Sequence, residues 1–329
     1  MGSKGGAEER LTAAANIPFV GLRSKGLQKA LSLQNVVAGA ALSKGVYDAL
    51  WILRKFGPDV VIGTGGHAAA AVVLAQALRR GKTVIVEPDV IPGRTNLALG
   101  RFASKICLAF EDAVARFPGR RTVVTGLPIR SELKNLPEKA AARAELGLDP
   151  SLFTVLVVGG SQGARHLNEV VCDALHNLRK LPIQILHQTG AGNFESVDKV
   201  ARGLEWPNYH PSRYFDNMAQ IYAAADFVVC RSGASTIAEI TMVGLPAILV
   251  PYPYAHANHQ WFNADVIARN GAGILIEESK LDAKLLSETI ERCVKEPVKL
   301  KAMAEASKKL AKPDAARDIA RIALDIKKL

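Results

Sequence analysis

Long apolar runs are missing from this sequence. The best candidate, AAAAVVLAQAL at 68–78, is well short of the roughly 18 to 20 residues that an apolar helix needs to cross a bilayer. The opening MGSKGGAEER is too polar for a secretory signal. Cysteine is scarce: Cys107, Cys172, Cys230 and Cys293 lie far apart and form no C-x-x-C pair. This spacing argues against a disulfide framework or a cysteine zinc site and fits reduced thiols in a cytosol. Aromatic residues make up only 6%, so the basic residues have few stacking partners, and no nucleic-acid-binding motif accompanies them. Solenoid-period repeats and low-complexity tracts are also absent.

The chain does have an ordinary globular composition, 49% apolar and 22% charged over 329 residues, enough for about two domains with buried cores. Lysine and arginine number 42 against 31 acids, a formal charge of +11. That excess favours phosphates, nucleic acid or an anionic membrane surface, and charge alone does not choose among them.

Strand-like runs alternate with helical ones: PDVVIG, KTVIVEP, KICLAF and RTVVTG, then FTVLVVGG, IQILHQTG, ADFVVC and LPAILVP. The alternation predicts α/β architecture with parallel sheets. The series breaks at SELKNLPEKAAARAELGLDPSL, a charged stretch with turn residues. Two doubly wound Rossmann-like domains are expected: an N-terminal domain over 1–130, a linker over 131–150, a C-terminal domain over 151–312 and a terminal helix over 313–329. The terminal helix is indicated by Pro313-Asp314 and an apolar stripe at Ile319, Ile322, Ala323 and Ile326.

Two glycine-rich turns carry the chemistry. In FTVLVVGGSQGARHLN a buried strand ends at Val158 and Gly159 to Gly163 lead into a helix. Glycine permits close backbone approach, and the free N–H groups at the helix start attract anions. Alone this is weak, since the turn is neither a full G-x-G-x-x-G nor a Walker sequence. The second turn, in ADFVVCRSGASTIAE, sets Ser232, Gly233, Ala234, Ser235 and Thr236 at a helix start, with Glu239 about one turn inside. Such groups suit a sugar nucleotide: amides and hydroxyls for the diphosphate, and a carboxylate for the ribose hydroxyls. Further on, HANHQ places His256, His259 and Gln260 on a loop entering a helix. H-x-x-H without a carboxylate at ligand spacing is a poor zinc site, whereas imidazoles and amides can bond vicinal sugar hydroxyls.

GGSQGA, RSGASTIAE, GLPAILVP and HANHQWFNA, in this order and spacing, resemble the MurG family of N-acetylglucosaminyltransferases in peptidoglycan synthesis. The similarity extends to GLRSKG, FGPDVVIGTGG, PGRTN and TGLPIR and so spans nearly the whole chain. It implies a two-Rossmann glycosyltransferase of the B architecture that needs no metal or other cofactor and holds UDP-N-acetylglucosamine mainly in its C-terminal domain. By position it assigns donor contacts to Arg130, Ser161, Phe215, Ala234 through Glu239 and Gln260; Gln162, Gly163, Ser232, Gly233 and His259, from the same turns and loop, complete the expected donor site. Phe215 stands where the family usually has an aliphatic residue, a flat apolar surface for the uracil.

The start departs from the family. GSKGGAEERL resembles the segment after the family's second strand, which implies that a first strand, a G-G-T-G-G-H loop and a helix are missing, with the usual catalytic base. Gly63-Thr64-Gly65-Gly66-His67 looks like a copy of that loop but sits in the family's second glycine loop. His67 is thus a candidate base or a bystander. Asp89, where the family usually has asparagine, is a second candidate, or a carboxylate that repels diphosphate.

Between Leu22 and Lys55, Arg23, Lys25, Lys29, Lys44, Arg54 and Lys55 alternate with Leu27, Leu31, Leu42, Val46, Leu50 and Trp51. Two readings stand: helices packing on a sheet, or a patch holding an anionic membrane and a polyprenyl-pyrophosphate-linked acceptor, the role the resemblance implies. The expected activity is inverting transfer of N-acetylglucosamine to lipid-linked N-acetylmuramoyl-pentapeptide at the cytoplasmic face of the plasma membrane. Alternatives are a UDP-sugar-binding subunit inactive without a partner chain, and a UDP-N-acetylglucosamine epimerase or hydrolase of the same architecture.

Overall fold

The computed structural model describes residues 1–22, 33–117, 119, 121–160 and 163–328, and the side chains of 7, 33–41 and 67 lie outside that description. The chain forms two compact units, residues 1–127 with 314–329, and residues 128–313.

Unit 1 opens with β1 (Gly2–Ser3), α1 (Ala7–Ala14) and β2 (Gly21–Leu22), the two short strands pairing in parallel. Next come α2 (Leu33–Phe56), β3 (Val60–Gly63), α3 (Gly66–Leu78), β4 (Lys82–Glu87), α4 (Arg94–Leu99), β5 (Lys105–Leu108) and β6 (Thr122–Val124). Strands β3 to β6 make a parallel sheet in sequential order. Strands buried on both faces need apolar residues in both phases of the pleat. In β4, Ile85 accordingly joins Ala49 and Leu53 of α2 and Val72 and Val73 of α3 in one core. Its neighbours Val84 and Val86 join a second core on the sheet's other side.

Unit 2 contains α5 (Lys139–Glu145), β7 (Phe153–Val158), α6 (Arg165–Leu178), β8 (Ile183–Gln188), α7 (Phe194–Leu204), β9 (Tyr209–Ser212), α8 (Met218–Ala224) and β10 (Phe227–Cys230). It continues through α9 (Ala234–Val243), β11 (Ala247–Leu249), α10 (His259–Arg269), β12 (Gly273–Leu275), α11 (Ala283–Lys295) and α12 (Pro297–Lys309). Its six parallel strands run β12-β11-β10-β7-β8-β9. The winding therefore reverses between β7 and β10, where Val158 pairs with Cys230. In open α/β sheets the crevice outside the carboxyl ends at such a reversal is where ligands bind.

All eight strands expected from apolar runs form. Added to them are the edge strands β9 and β12 and the pair β1 and β2. The stretch expected as a linker is instead part of unit 2. Arg143 of α5 is buried; its Nη2 donates to Asp226 Oδ2 at 2.5 Å, its Nε to the Ala224 carbonyl at 3.0 Å and its Nη1 to the Pro150 carbonyl at 2.9 Å. Asp226 also accepts from Lys139 Nζ at 2.7 Å and from the Thr154 amide at 2.7 Å. A guanidinium taken out of water needs such a set of partners, and having them it fastens 139–150 to the start of β7 and β10.

The terminal helix, α13 (Ala315–Lys327), returns to unit 1. Ile319, Ala323 and Ile326 form one stripe and pack against Val84, Val86 and Cys107.

Candidate functional site

Both glycine-rich turns leave the carboxyl ends of adjacent strands at the reversal point of unit 2. At the first, Gly163 has φ +76°, and a Cβ there would lie 2.3 Å from the Thr189 carbonyl oxygen. Only glycine fits both the left-handed backbone and the space. The Thr189 carbonyl is itself held: Asn168 Nδ2 donates to it at 2.8 Å, Asn168 Oδ1 lies 3.0 Å from His187 Nε2, and His187 Nδ1 lies 2.7 Å from the Tyr209 hydroxyl. Burial depresses the pKa of His187 to about 3, so the imidazole is neutral. Ser161 and Gln162, expected donor contacts, lie outside the described residues.

At the second turn, Gly233 is the N-cap of α9 with extended backbone and no side-chain cap. The first intrahelical bond, Ile237 N–H to the Gly233 carbonyl at 3.0 Å, leaves the helix's leading amides pointing out of its N-terminus. A cleft of about 690 Å³ opens over both turns, lined by Gly159, Gly160, Gly163, Gly233, Thr236 and Gln260 together with Arg165, His166, Glu169, Arg231, Tyr252 and Glu278. The sequence pattern thus brings Gly163, Gly233, Thr236 and Gln260 together. Gln260 Oε1 accepts from the Tyr252 amide at 3.0 Å, which orients its carboxamide. His259 begins α10 half-buried, and Ser235 is exposed.

Ser232 is corrected. Its side chain is fully buried, its Oγ donates to the Gln260 carbonyl at 2.8 Å, and its own carbonyl accepts from Asn263 Nδ2 at 3.3 Å. The hydroxyl is spent on fastening α10 to the turn and is not presented to a ligand. Ala234 is likewise buried, which leaves its backbone as the usable part.

Arg130 and Glu239 meet outside the cleft lining: Arg130 Nη2 donates to Glu239 Oε1 at 2.9 Å, and the Tyr222 hydroxyl donates to Oε2 at 2.9 Å. Phe215 sits half-buried in the loop after β9, its amide donating to Gln188 Oε1 at 3.0 Å.

Sequence reasoning missed Arg231 and Tyr222. Arg231 pairs with Glu278, donates to the carbonyls of Val250 and Pro251 at 3.2 Å each, and lies 5.6 Å from the centre of the Tyr252 ring. Its place beside Ser232 in the motif was the available signal. Cys230 is fully buried, and burial, with the nearby Glu239 as the second cause, pushes its thiol up to about 12. Such a thiol stays protonated and unreactive.

In unit 1, Gly65 and Gly66 take φ +94° and +81° at the start of α3, placing His67 in its first turn. Asp89 lies on the loop after β4, half-buried. Buried Glu87 organises that loop: Oε1 accepts from the Asp89 amide at 3.0 Å, and Oε2 from the Gly93 amide at 3.2 Å and Asn96 Nδ2 at 2.9 Å. Burial raises the pKa of Glu87, against the pull of those donors.

On α2, Val46, Leu50 and Leu53 pack into the core. The opposite face presents Tyr47 at 71% exposure and Trp51 at 65%, with Phe56 at 80% at the helix end, among exposed Lys44, Arg54 and Lys55. The packing reading holds for the inner face, and the outer face is an exposed mixture of aromatic and cationic side chains. The expected patch members Arg23, Lys25 and Lys29 lie outside the described residues. Among the described residues no helix is long and apolar enough to cross a membrane.

Residues 1–108 match the Glycosyltransferase family 28 N-terminal domain and residues 154–319 the Glycosyltransferase family 28 C-terminal domain. A protein of Desulforudis audaxviator is 39% identical over 322 residues, 96% of this chain and 86% of its own. One of Bacillus subtilis is 36% identical over 330 residues, 100% and 90% of the two chains. Both are called UDP-N-acetylglucosamine--N-acetylmuramyl-(pentapeptide) pyrophosphoryl-undecaprenol N-acetylglucosamine transferase. The crystal structure of Acinetobacter baumannii MurG superposes with a TM-score of 0.79 at 27% identity, covering 98% of this chain and 89% of that one.

Proposed function

The chain belongs to the MurG family within glycosyltransferase family 28, and from that membership we propose that it transfers N-acetylglucosamine from UDP-N-acetylglucosamine to a polyprenyl-pyrophosphate-linked N-acetylmuramoyl-pentapeptide. The observation that carries the reading is the pairing of two glycine-rich turns at the strand reversal of unit 2, over one cleft. In this reading the donor diphosphate takes the amides at the start of α9 and of the first turn, where the helix dipole favours negative charge. Thr236 and Gln260 take polar groups of the donor, Glu239 the ribose hydroxyls, and Phe215 the uracil.

The chemistry is a displacement. The acceptor hydroxyl loses its proton to a base as its oxygen bonds the anomeric carbon, and the carbon–oxygen bond to the diphosphate breaks, so that UDP leaves and the linkage inverts to β. The donors around the diphosphate stabilise the charge that develops on it. Unit 1 offers two groups as base, His67 and Asp89. Glu87 supports Asp89 by holding its loop against the end of β4.

The chain acts on its lipid-linked acceptor at the cytoplasmic face of the membrane. The outward face of α2, aromatic and cationic together, supports that placement. The test is incubation of the purified chain with radiolabelled UDP-N-acetylglucosamine and a lipid-linked muramoyl acceptor, monitoring UDP release and a β-linked disaccharide. Sugar epimerised or hydrolysed without acceptor would point to another reaction on the same donor. Of His67→Ala and Asp89→Asn, the variant that loses about 10² to 10⁴ in rate identifies the base.

A further inference from the structure

The two partners of the Glu239 carboxylate differ in kind. Arg130, on Oε1, has a side chain 41% exposed, so solvent screens the pair and the guanidinium can leave for another anion. Tyr222, on Oε2, is only 3% exposed and is the one hydroxyl among the buried residues of α8. A buried phenol must find an acceptor, and this one has Glu239 at 2.9 Å. Burial and then the carboxylate raise the ionisation of Tyr222 well above the ordinary phenol range, so it is a permanent donor.

We infer that Tyr222 is a positioning residue for nucleotide recognition: by pinning Oε2 it fixes the plane of the Glu239 carboxylate and turns Oε1 toward the ribose, independently of Arg130. The inference rests on the proposed role of Glu239 as the ribose acceptor. An ionised carboxylate has about four lone-pair sites, so the phenol leaves acceptors for vicinal hydroxyls. Without it the group can rotate about its Cγ–Cδ bond, and a ribose hydroxyl meets it in many orientations. Tyr222 touches no substrate in this scheme and acts only through Glu239.

The experiment is calorimetric binding of UDP and of 2′-deoxy-UDP to the whole chain. The ratio of the two affinities isolates the 2′-hydroxyl, so changes in phosphate binding or in the folded fraction cancel. The parent is expected to prefer UDP about tenfold, the worth of one hydrogen bond to a charged group. Tyr222→Phe keeps the ring and should shrink the preference to about threefold or less, while Arg130→Gln, which frees Oε1 but leaves Oε2 held by the phenol, should lower both affinities and keep a larger preference than the tyrosine variant. A parent preference that Tyr222→Phe does not reduce overturns this inference alone. So does a preference that collapses in Arg130→Gln, which holds even if the tyrosine variant fails to fold. A parent ratio near one overturns the ribose assignment of Glu239, and this inference with it.

Discussion

Neutralising Lys44, Arg54 and Lys55 to glutamine should weaken binding to anionic vesicles far more than neutralising three exposed lysines of α11 and α12. All three side chains are exposed on α2 around Tyr47, Trp51 and Phe56, and Lys55 Nζ lies 5.8 Å from the centre of the Trp51 ring. A cation close to an anionic leaflet contributes about 1 kcal/mol. Three of them give about 3 kcal/mol, a fall of roughly 10² in partitioning at one decade per 1.4 kcal/mol. A matched control replaces Lys284, Lys295 and Lys299, which form surface pairs with Glu288, Glu291 and Glu296 on α11 and α12. The net charge changes equally, so a general attraction of the basic chain would lower binding by the same amount in both. Co-sedimentation with sucrose-loaded vesicles, with and without phosphatidylglycerol, measures the partitioning. Raising salt from about 0.1 M to 1 M shortens the screening length from about 10 Å to 3 Å and should erase most of the difference between the variants. Folding should be untouched, because none of the three side chains is in the core. Equal losses in the α2 variant and in the control would refute the patch, and so would binding that ignores salt.

Buried groups give further expected outcomes. Arg143→Met leaves Asp226 without its guanidinium and should lower the unfolding free energy by about 3 kcal/mol, read from urea denaturation; a loss below about 1 kcal/mol would mean that this guanidinium does not fasten 139–150 to β7 and β10. His187 is neutral in the fold, its pKa falling from 6.5 to about 3, so the unfolded chain takes up a proton below pH 6.5 that the folded chain refuses. Stability is therefore lost as pH falls through that window, by about 2 kcal/mol between pH 6.5 and pH 5, and His187→Gln should flatten that part of the stability-against-pH curve. Gly163→Ala puts a methyl group against the Thr189 carbonyl in a left-handed backbone and should weaken UDP binding by about fivefold to about 10²-fold by calorimetry, from a strain of order 1 to 3 kcal/mol.

Much of this was legible in the chain because buried parallel strands are continuous apolar runs. FTVLVV and FVVC announce themselves, and the glycines after them mark the turns. The edge strand at Tyr209–Ser212 does not, since YHPS has neither alternation nor an apolar run and its proline is tolerable only at an edge. Residues 131–150 read as a linker because Arg143 and Lys139 look like solvated charges; their partner Asp226 is more than eighty positions away, a pairing that only the fold supplies. Ser232 looked like a ligand for a similar reason. Residue type shows that a hydroxyl is present, but its direction is set by α10 closing over it. Tyr222, in AQIYAAAD, reads as one more core aromatic until its hydroxyl is placed on Glu239.

The return of α13 to unit 1 sets an order of assembly. Unit 2 is continuous from 128 to 313 and has all its strands once the ribosome has passed them, whereas unit 1, begun before it, lacks one wall of its sheet until α13 has been made. Until Ile319, Ala323 and Ile326 emerge, Val84, Val86 and Cys107 face water or a chaperone, and domains otherwise tend to fold in the order of their synthesis. Unit 1 is thus begun before unit 2 and completed after it. A thiol reagent applied to stalled nascent chains would see this directly, as a Cys107 that reacts readily until α13 arrives and is then shielded.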